Sequence, residues 1–404
     1  MCKYYGIGCM LLFILATATV AAQNLLEVKH SPGAGQYGSV GAALQAAVAG
    51  DIIEVIDNSA VFAENVYINQ LPNMTLRGKA GLNPRPTIQG VAGTAHPLDD
   101  FFTNGATLVW NESDSLIVQD LIFTRGGADF TVDNRFSDNG DFTNCRFVAT
   151  NAPLSCMRSQ RPATFTDCAF LGANVATVDH FFGGPLHLVG CTVDEGKSNG
   201  VIVSGGSVII EDSFIGCQGL TTMLIQDRDG EEPVQVTLNR SIVTFTERFQ
   251  NNLIVVNDGG KEFGCSLSID NCDIVGSLDR DPSPTGAGII TNEQTNLAVT
   301  DTIFYNISSV AYALNGFNLG SGDEDYNAYK LAPNNLSDQG IEEGLNNLEL
   351  ADDAPLYNDP VNYDLRLVDG SAALTLNSTG IPAWAGSQGP LTPPLNRAGH
   401  WTIY

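Results

Sequence analysis

A short pattern of apolar and polar positions recurs along the chain between residues 116 and 305. An apolar stretch is followed by an acidic or amide residue, then by a cysteine or small residue and more apolar positions, as in F-T-N-C-R-F at Asn144. Eight such anchors occur, at Asp120, Asn144, Asp167, Gly190, Asp212, Asn239, Asn271 and Asp301. The period between them is about 23 residues at first and about 30 later. Two short β stretches per period cannot bury their own apolar face, so the pattern predicts a β solenoid.

A second β stretch follows each anchor before the next period begins. These stretches end in polar residues at Asp133, Arg158, Asp179, Ser204, Asp227, Asn257, Asn292 and Asn315. The loops of the later periods are longer, notably 227–233 and 278–288. We expect these loops to form a wall beside one sheet of the solenoid.

The cysteines fit the solenoid better than they fit a disulfide framework. Without the segment 1–22 the chain keeps seven, at Cys145, Cys156, Cys168, Cys191, Cys217, Cys265 and Cys272. An odd number at these spacings is a poor framework, and no C-x-x-C motif indicates a structural zinc site. Cys145, Cys168 and Cys191 are each one period apart, so we expect them to stack about 4.8 Å apart as a buried thiol ladder.

The segment 1–22 has the pattern of a signal peptide. Lys3 precedes an apolar run from residue 9 to 20, and Ala21 and Ala22 provide small residues for cleavage before Gln23. The run is short for a membrane span, and no later segment is apolar enough to be one. We therefore expect a secreted or extracellular protein.

After the signal peptide, the sequence predicts a capped solenoid followed by a C-terminal segment. Ser39 is a candidate N-cap of a helix through A-A-L-Q-A-A-V that Gly50 would end. Such a helix would cover the open apolar end of the solenoid. We assign 23–320 to the solenoid with this cap, and 321–404 to a segment that packs on it or completes it.

Composition narrows the class of partner. The chain has 404 residues with 45 acids against 19 bases and a formal net charge of −26, which excludes a nucleic-acid binder and argues against binding to an anionic membrane. A hydrophobic content of 43% is sufficient for a large core. We expect a monomer without a cofactor.

The opening G-D-I-I-E-V-I and the closing N-D-P-V-N-Y-D-L-R-L resemble the ends of many secreted proteins of the pectin-lyase-like superfamily. The resemblance extends over most of the mature chain. It implies an all-β fold, the right-handed parallel β-helix with an N-terminal capping helix.

A more specific stretch resembles the pectin methylesterases. Their run D-C-x-I-x-G-x-V-D-F-I-F-G is similar to D-C-A-F-L-G at Asp167 followed by T-V-D-H-F-F-G, with Cys191 at about the family's distance. The resemblance implies that Asp179 corresponds to the family's nucleophile on the methyl-ester carbonyl. Arg228, in I-Q-D-R-D-G, would correspond to the arginine that orients this nucleophile.

Other positions depart from the esterase pattern. The family's Q-D-T-L-Y falls on N-A-P-L-S, which places Asn151 at an oxyanion glutamine and Ala152 at the general acid. The second glutamine falls near Asp129, a carboxylate in place of a neutral donor. Ester cleavage needs a stabilised oxyanion and a protonated leaving group, so the resemblance implies a catalytically degenerate protein.

The candidate site has two interpretations. Arg158, Asp179 and Arg228 are expected on one face within a few coils, where the arginines could bind a uronate carboxylate bidentately or could form a surface ion-pair ladder. His180 should point to the opposite side, as a hydrogen-bonded core histidine. An acidic loop with Asp227, Asp229, Glu231 and Glu232 could bind calcium or could simply be solvated.

These observations favour a secreted β-helix protein that binds a polysaccharide or a cell-surface glycan, or a degenerate pectinesterase-like protein. The alternative is an active esterase or lyase that acts on a uronate-containing glycan. The negative charge favours the first, because it repels polyuronides unless cations bridge the two.

Overall fold

The computed structural model describes residues 23–93, 105–136, 139–181, 183–227, 233–246, 252–257, 264–276, 286–307, 309–318, 324–334, 344–360 and 364–375. These residues form a parallel β-helix whose chain passes in most coils through three stacks of parallel strands, here named sheets A, B and C. Sheets A and C are joined by the long strand Ala287–Thr300, which contributes to both. The prediction of a β solenoid is confirmed. The prediction of two β stretches per period is wrong, because each anchor stretch contains two strands, one in sheet A and one in sheet B.

The strands of each sheet pair in register with those of the next coil. Sheet A contains Leu25–Val28, Ile52–Val55, Thr75–Gly78, Leu116–Gln119, Gly140–Thr143, Ala163–Thr166, Leu186–Val189, Ser207–Glu211, Val234–Asn239, Cys265–Asp270, the second half of Ala287–Thr300, and Glu324–Asp325. Sheet B contains Val61–Ala63, Thr87–Gln89, Ile122–Thr124, Arg146–Val148, Ala169–Ala173, Thr192–Gly196, Phe214–Cys217, Ile242–Phe245, Asp273–Val275, Ile303–Tyr305, Ala328–Lys330 and Leu348–Glu349. Sheet C contains Val66–Asn69, Ala106–Asn111, Phe130–Phe136, Ser155–Ser159, Ala176–His180, Asn199–Val203, Thr221–Gln226, Ile254–Asn257, the first half of Ala287–Thr300, and Val310–Asn318.

The corner between sheets A and B is a one-residue turn with positive φ. The anchors Asp120, Asn144, Asp167, Gly190, Asp212, Asn271 and Asp301 all have φ between 49° and 63°. Aspartate, asparagine and glycine tolerate this left-handed region best, which explains the recurring residue types. In the repeat assigned to Asn239, the turn residue is Arg240, with φ 47°. The predicted position of this turn, Asn239, was therefore wrong by one residue, because arginine is not a residue type that typically adopts the left-handed region.

Behind each turn residue, one side chain points into the core and forms what we call the corner ladder. Its members are Cys145, Cys168, Cys191, Ser213, Ser241, Cys272, Thr302 and Asn327. The backbone N–H of Cys191 donates to Ser213 Oγ at 2.9 Å, and the Ser213 N–H donates to Ser241 Oγ at 3.1 Å. The ladder thus provides acceptors for backbone donors that the turn removes from the sheets.

The predicted thiol ladder is confirmed as the first part of the corner ladder. Cys145, Cys168 and Cys191 are buried and free of disulfides, and the Cys145 N–H donates to Cys168 Sγ at 3.4 Å. Burial raises the pKa of the Cys191 thiol to about 12. Phenylalanines stack from coil to coil beside it, with ring centroids of Phe147 and Phe170 5.0 Å apart.

A helix covers the N-terminal end of the coil, as predicted. It spans Val40–Ala46, and the Ala42 N–H donates to the Ser39 hydroxyl at 3.0 Å, so Ser39 is the N-cap. The carboxylate of Glu64 accepts two more N–H groups of the first turn. Gly50 does not end the helix. The helix ends at Ala46, and Gly50 lies in the following turn with φ 88°.

The C-terminal described residues pack against the outward face of sheet B. An antiparallel pair, Tyr357–Asp359 and Asp364–Leu367, and a 3-10 turn at Ala372–Thr375 bring Leu356, Tyr357, Leu365 and Ala373 onto the outward residues of sheet B, among them Phe214, Ile242 and Ile303. The Tyr357 hydroxyl donates to Asp273 Oδ1 at 2.5 Å, and both are buried. The division at residue 320 remains a prediction.

The predicted signal peptide, residues 1–22, lies outside the described residues. In the part of the chain that the structure does describe, the single α-helix, Val40–Ala46, is far too short to cross a bilayer.

Candidate functional site

Sheet C carries two of the three predicted site residues, Arg158 and Asp179, on its outward face. Arg158 is in register with Asp179 on the next strand and with Asp133 on the previous one. One guanidinium thus lies between two carboxylate-bearing positions, each one coil away. Arg158 and Asp179 are half-buried, whereas Asp133 is almost completely buried. The third predicted residue, Arg228, lies outside the described residues.

Two phenylalanine rings enclose the guanidinium of Arg158. Its central carbon lies 5.0 Å from the ring centroid of Phe130 and 4.7 Å from that of Phe181. Both separations are within the range of cation–π attraction, which is stronger where the cation is partly desolvated. The two rings therefore hold the plane of the guanidinium at the surface of sheet C. We call Arg158, Phe130 and Phe181, together with Asp133 and Asp179, the arginine clamp.

The outward face of sheet C changes from charged to apolar in the coils that follow the clamp. The positions that continue the column of Asp179 are Ile202, Leu224, Val255 and Ile290, one per coil. Charged groups are therefore confined, within this column, to the coils that carry Asp133, Arg158 and Asp179. A ligand on this face meets a charged section and an apolar section side by side.

His180 points to the interior, as strand alternation predicted. It lies in register with Ser159 and Val203, and Ser159 is in turn in register with Asn134. Asn134, Ser159 and His180 are fully buried, and we call them the inner polar column. The prediction of a hydrogen-bonded histidine is wrong, because neither ring nitrogen has a hydrogen-bond partner among the described residues. Burial lowers the pKa of His180 to about 4.

The residues aligned with the esterase acid and oxyanion positions do not belong to the clamp. Ala152 is fully buried in the core, where a carboxylate would be desolvated. Asn151 is exposed, and its side-chain oxygen accepts a hydrogen bond from Lys197 Nζ at 3.1 Å. Asp129 is half-buried beside the turn that precedes Phe130. Replacing Ala152 by aspartate would therefore place an acid in the core and not opposite Asp179.

The acidic loop is described only at its first residue. Asp227 is 4% exposed, and Asp229, Glu231 and Glu232 lie outside the described residues. Within the part of the chain that the structure describes, no three or more histidine, cysteine, aspartate or glutamate side chains come together as a metal site.

Sequence reasoning missed the two aromatic rings of the clamp. Phe181 follows Asp179 by two positions, which is the spacing of residues on the same side of a strand, so a signal for it existed. No comparable signal marked Phe130, because its contact with Arg158 depends on how two neighbouring coils are aligned.

Comparison with known proteins finds similarity at the level of the fold. No protein-family model matches the chain, and no curated protein matches its sequence. The crystal structure of pectate lyase Pel9A is similar over 92% of this chain and 97% of that one, with a TM-score of 0.58 and 11% identity.

Two other solved structures are similar with a TM-score of 0.35 each. The A-module of mannuronan C-5 epimerase AlgE6 from Azotobacter vinelandii covers 75% of this chain and 81% of its own, at 9% identity. Pectin methylesterase PemA from Erwinia chrysanthemi covers 81% and 93%, at 12% identity. The likeness to Pel9A concerns the fold alone: this chain is a parallel β-helix, as predicted.

Proposed function

We propose that this chain is a secreted protein that binds an acidic polysaccharide through the arginine clamp on sheet C. The observation that carries the proposal is the guanidinium of Arg158, stacked between Phe130 and Phe181 at 5.0 and 4.7 Å. The planar N–H edge of an arginine matches the two oxygens of a carboxylate, and stacking lowers the entropy lost when the pair forms. The ligand group would be the carboxylate of a uronate residue.

The surroundings of Arg158 determine how such a ligand would bind. Asp179, half-buried on the next coil, can accept hydrogen bonds from sugar hydroxyls next to the bound carboxylate. The apolar positions Ile202 and Leu224 lie along the same face, where the C–H surfaces of sugar rings could pack. With a net charge of −26, the protein repels a polyuronide as a whole, so we expect modest affinity that added cations increase.

Binding without turnover agrees better with this site than ester cleavage does. A general acid is needed to protonate the methoxide leaving group, and the aligned position, Ala152, is a core residue. The pectate lyase with the same fold acts on pectate according to its name, which supports the class of ligand and leaves the reaction open.

Binding assays on polygalacturonate, methylated pectin and a neutral glucan, each with and without calcium, test the proposal. We expect binding to polygalacturonate and none to the glucan. Arg158→Ala should weaken binding tenfold or more, and Arg158→Lys should recover little, because an ammonium neither stacks nor pairs bidentately. Arg240→Ala is the matched control, since Arg240 pairs with Asp212 at 2.7 Å on the A–B corner, away from sheet C. Equal binding by Arg158→Ala and wild type would refute the proposal.

The alternative of an active enzyme is tested with the same samples. Methanol release from methylated pectin would indicate an esterase, and an unsaturated product from polygalacturonate would indicate a lyase. Either activity, if lost in Asp179→Ala, would assign catalysis to the face that we propose for binding.

A further inference from the structure

His180 occupies a position between two residues of the arginine clamp. Asp179 precedes it, and Phe181, which stacks on Arg158, follows it. The backbone on both sides is tied to neighbouring coils: the Phe181 N–H donates to Ser159 O at 3.0 Å, and the Ser204 N–H donates to His180 O at 2.7 Å. Because His180 is covalently flanked by Asp179 and Phe181, a displacement of its backbone would move both of these clamp residues.

The ring has no room and no partner for a proton. Its Nε2 is close to Gly206, where a Cβ added to the glycine would lie only 3.3 Å from it. Ser159, its neighbour in the inner polar column, is already engaged in both directions: its hydroxyl donates to Arg161 O at 3.3 Å and accepts from Asn134 Nδ2 at 3.5 Å. Val203 follows on the other side. A charged imidazole in this interior would lack both water and a counter-ion.

The charged groups on the elements around the ring point elsewhere. On the neighbouring strand Ser155–Ser159 the charged residue is Arg158, and on the ring's own strand it is Asp179, both on the outward face. Arg161 is exposed in the turn beyond Ser159. The strand Asn199–Val203 has no charged residue, and neither do the described turn residues 183–185 and 204–206.

We propose that His180 is a positioning residue that keeps the arginine clamp in its binding form only while the imidazole is uncharged. Protonation would force the ring toward water and would loosen the end of the strand Ala176–His180. Phe181 and Asp179 would move with it, and Arg158 would lose one of its two stacking rings. The proposal rests on the proposed function for its ligand, but the movement of the strand does not depend on any ligand.

Burial as the sole cause of the lowered pKa agrees with this geometry. With a pKa of about 4, half of the folded molecules carry the charge at pH 4. If the charged form does not bind, the apparent affinity falls by the fraction that remains competent, about twofold at pH 4 and about fourfold at pH 3.5.

The test compares wild type with His180→Phe and His180→Leu, as full-length mature protein, by binding of polygalacturonate from pH 7 to 3.5 at constant ionic strength. Because the uronate itself titrates in acid, the measured quantity is the ratio of wild-type to variant affinity at each pH. We expect a ratio that stays level from pH 7 to 5 and then falls about fourfold by pH 3.5. His187→Gln is the control, because His187 is on the outward face of sheet A, 3.1 Å from Glu211. The ratio of wild-type affinity to that of His187→Gln should stay the same at every pH.

A readout without ligand separates this inference from the proposed function. Hydrogen exchange at Phe181, corrected for the intrinsic rate, should speed up below pH 5 in wild type and not in His180→Phe. If no polysaccharide binds at any pH but exchange shows this difference, the proposed function fails and the positioning role of His180 stands. If binding occurs and both the affinity ratio and the exchange are independent of pH, the inference is wrong. Should His180→Phe not fold, His180→Leu answers the same two questions.

Discussion

Two polar columns run inside this β-helix, and they differ in how well they are satisfied. In the corner ladder between sheets A and B, each side chain from Cys168 onward accepts a backbone N–H from the preceding coil; Thr302 Oγ1, for example, accepts from the Cys272 N–H at 3.4 Å and donates to Thr300 O at 2.9 Å. In the inner polar column of sheet C, Asn134 Oδ1 and both nitrogens of His180 have no partner among the described residues. The first column is what a stable solenoid needs, since buried polar groups are costly unless paired.

The contrast between the two columns supports the binding face that we propose. Unsatisfied buried groups persist only when something else over-determines the structure, and they are more frequent at functional sites than in simple scaffolds. The inner polar column lies directly beneath the arginine clamp, whereas the corner ladder lies away from it. Substitutions in the two columns should therefore differ in size and in pH dependence.

The largest effect should come from filling the space next to His180. In Gly206→Ala the new Cβ would lie 2.5 Å from the Gly183 carbonyl oxygen and 3.3 Å from His180 Nε2, at a φ of 69°. Backbone strain and the clash together should lower the free energy of unfolding by about 4 kcal/mol, measured by urea denaturation.

Gly50→Ala separates the two causes. Gly50 has φ 88°, but no atom lies within 4 Å of its would-be Cβ, so only the backbone strain of about 1 kcal/mol should remain. Equal losses in both variants would show that the region around His180 is not tightly packed.

The next effect concerns the pH dependence of stability. In the unfolded chain His180 takes up a proton below about pH 6.5, but the folded protein does not until about pH 4. Its contribution to stability is therefore complete above pH 6.5, falls as the pH drops to 4, and is constant below. The total change is roughly 3 kcal/mol.

The pH effect is measured as the difference between wild type and His180→Phe, because carboxylates titrate in the same range in both proteins. Urea denaturation at pH 7, 5.5 and 4 provides it. If this difference is the same at all three pH values, the ring is solvated in solution and the contrast between the two columns is lost.

The third prediction concerns a substitution that removes hydrogen bonds from the corner ladder. Ser213→Ala removes the acceptor of the Cys191 N–H and the donor to Glu211 O, which are bonds of 2.9 and 2.7 Å. One buried donor is then left unpaired, so we expect a loss of about 2 kcal/mol in the free energy of unfolding. Ser268→Ala, on the exposed face of sheet A, should change it by less than about 0.5 kcal/mol. A similar result for both would mean that the corner ladder contributes little.

The coil of the β-helix could be predicted from the sequence, but only part of the candidate site could. The left-handed turns at Asp120, Asn144 and Asp167 and the cysteines behind two of them were predictable, because one residue type recurs at one spacing for one physical reason. Sheet B was not, since a single-residue turn does not interrupt the apolar pattern.

At the candidate site, the common face of Arg158 and Asp179 followed from the repeat spacing. The enclosure of Arg158 by Phe130 and Phe181 depends on side chains from three coils, which periodicity alone does not relate. The missing partners of His180 are a property of the packed interior, and sequence reasoning assigned it the hydrogen bond that most buried histidines have.

The smallest effect is expected at Cys168. A serine there would usually bury a hydroxyl without a guaranteed partner and cost roughly 1–3 kcal/mol. In the corner ladder, however, the partners already exist: the Cys145 N–H donates to Cys168 Sγ at 3.4 Å, and the thiol donates to Thr166 O at 3.3 Å. Ser213 and Ser241 make the equivalent bonds two and three coils further on.

We therefore expect Cys168→Ser to change the free energy of unfolding by less than about 1 kcal/mol, and Cys168→Ala, which provides neither bond, to cost about 2 kcal/mol. Urea denaturation of the two variants beside wild type is the measurement. A serine variant as unstable as the alanine variant would mean that the ladder is selected for the volume of sulfur and not for its hydrogen bonds. Thiols buried in this way should also resist alkylation in the folded protein and react only in denaturant.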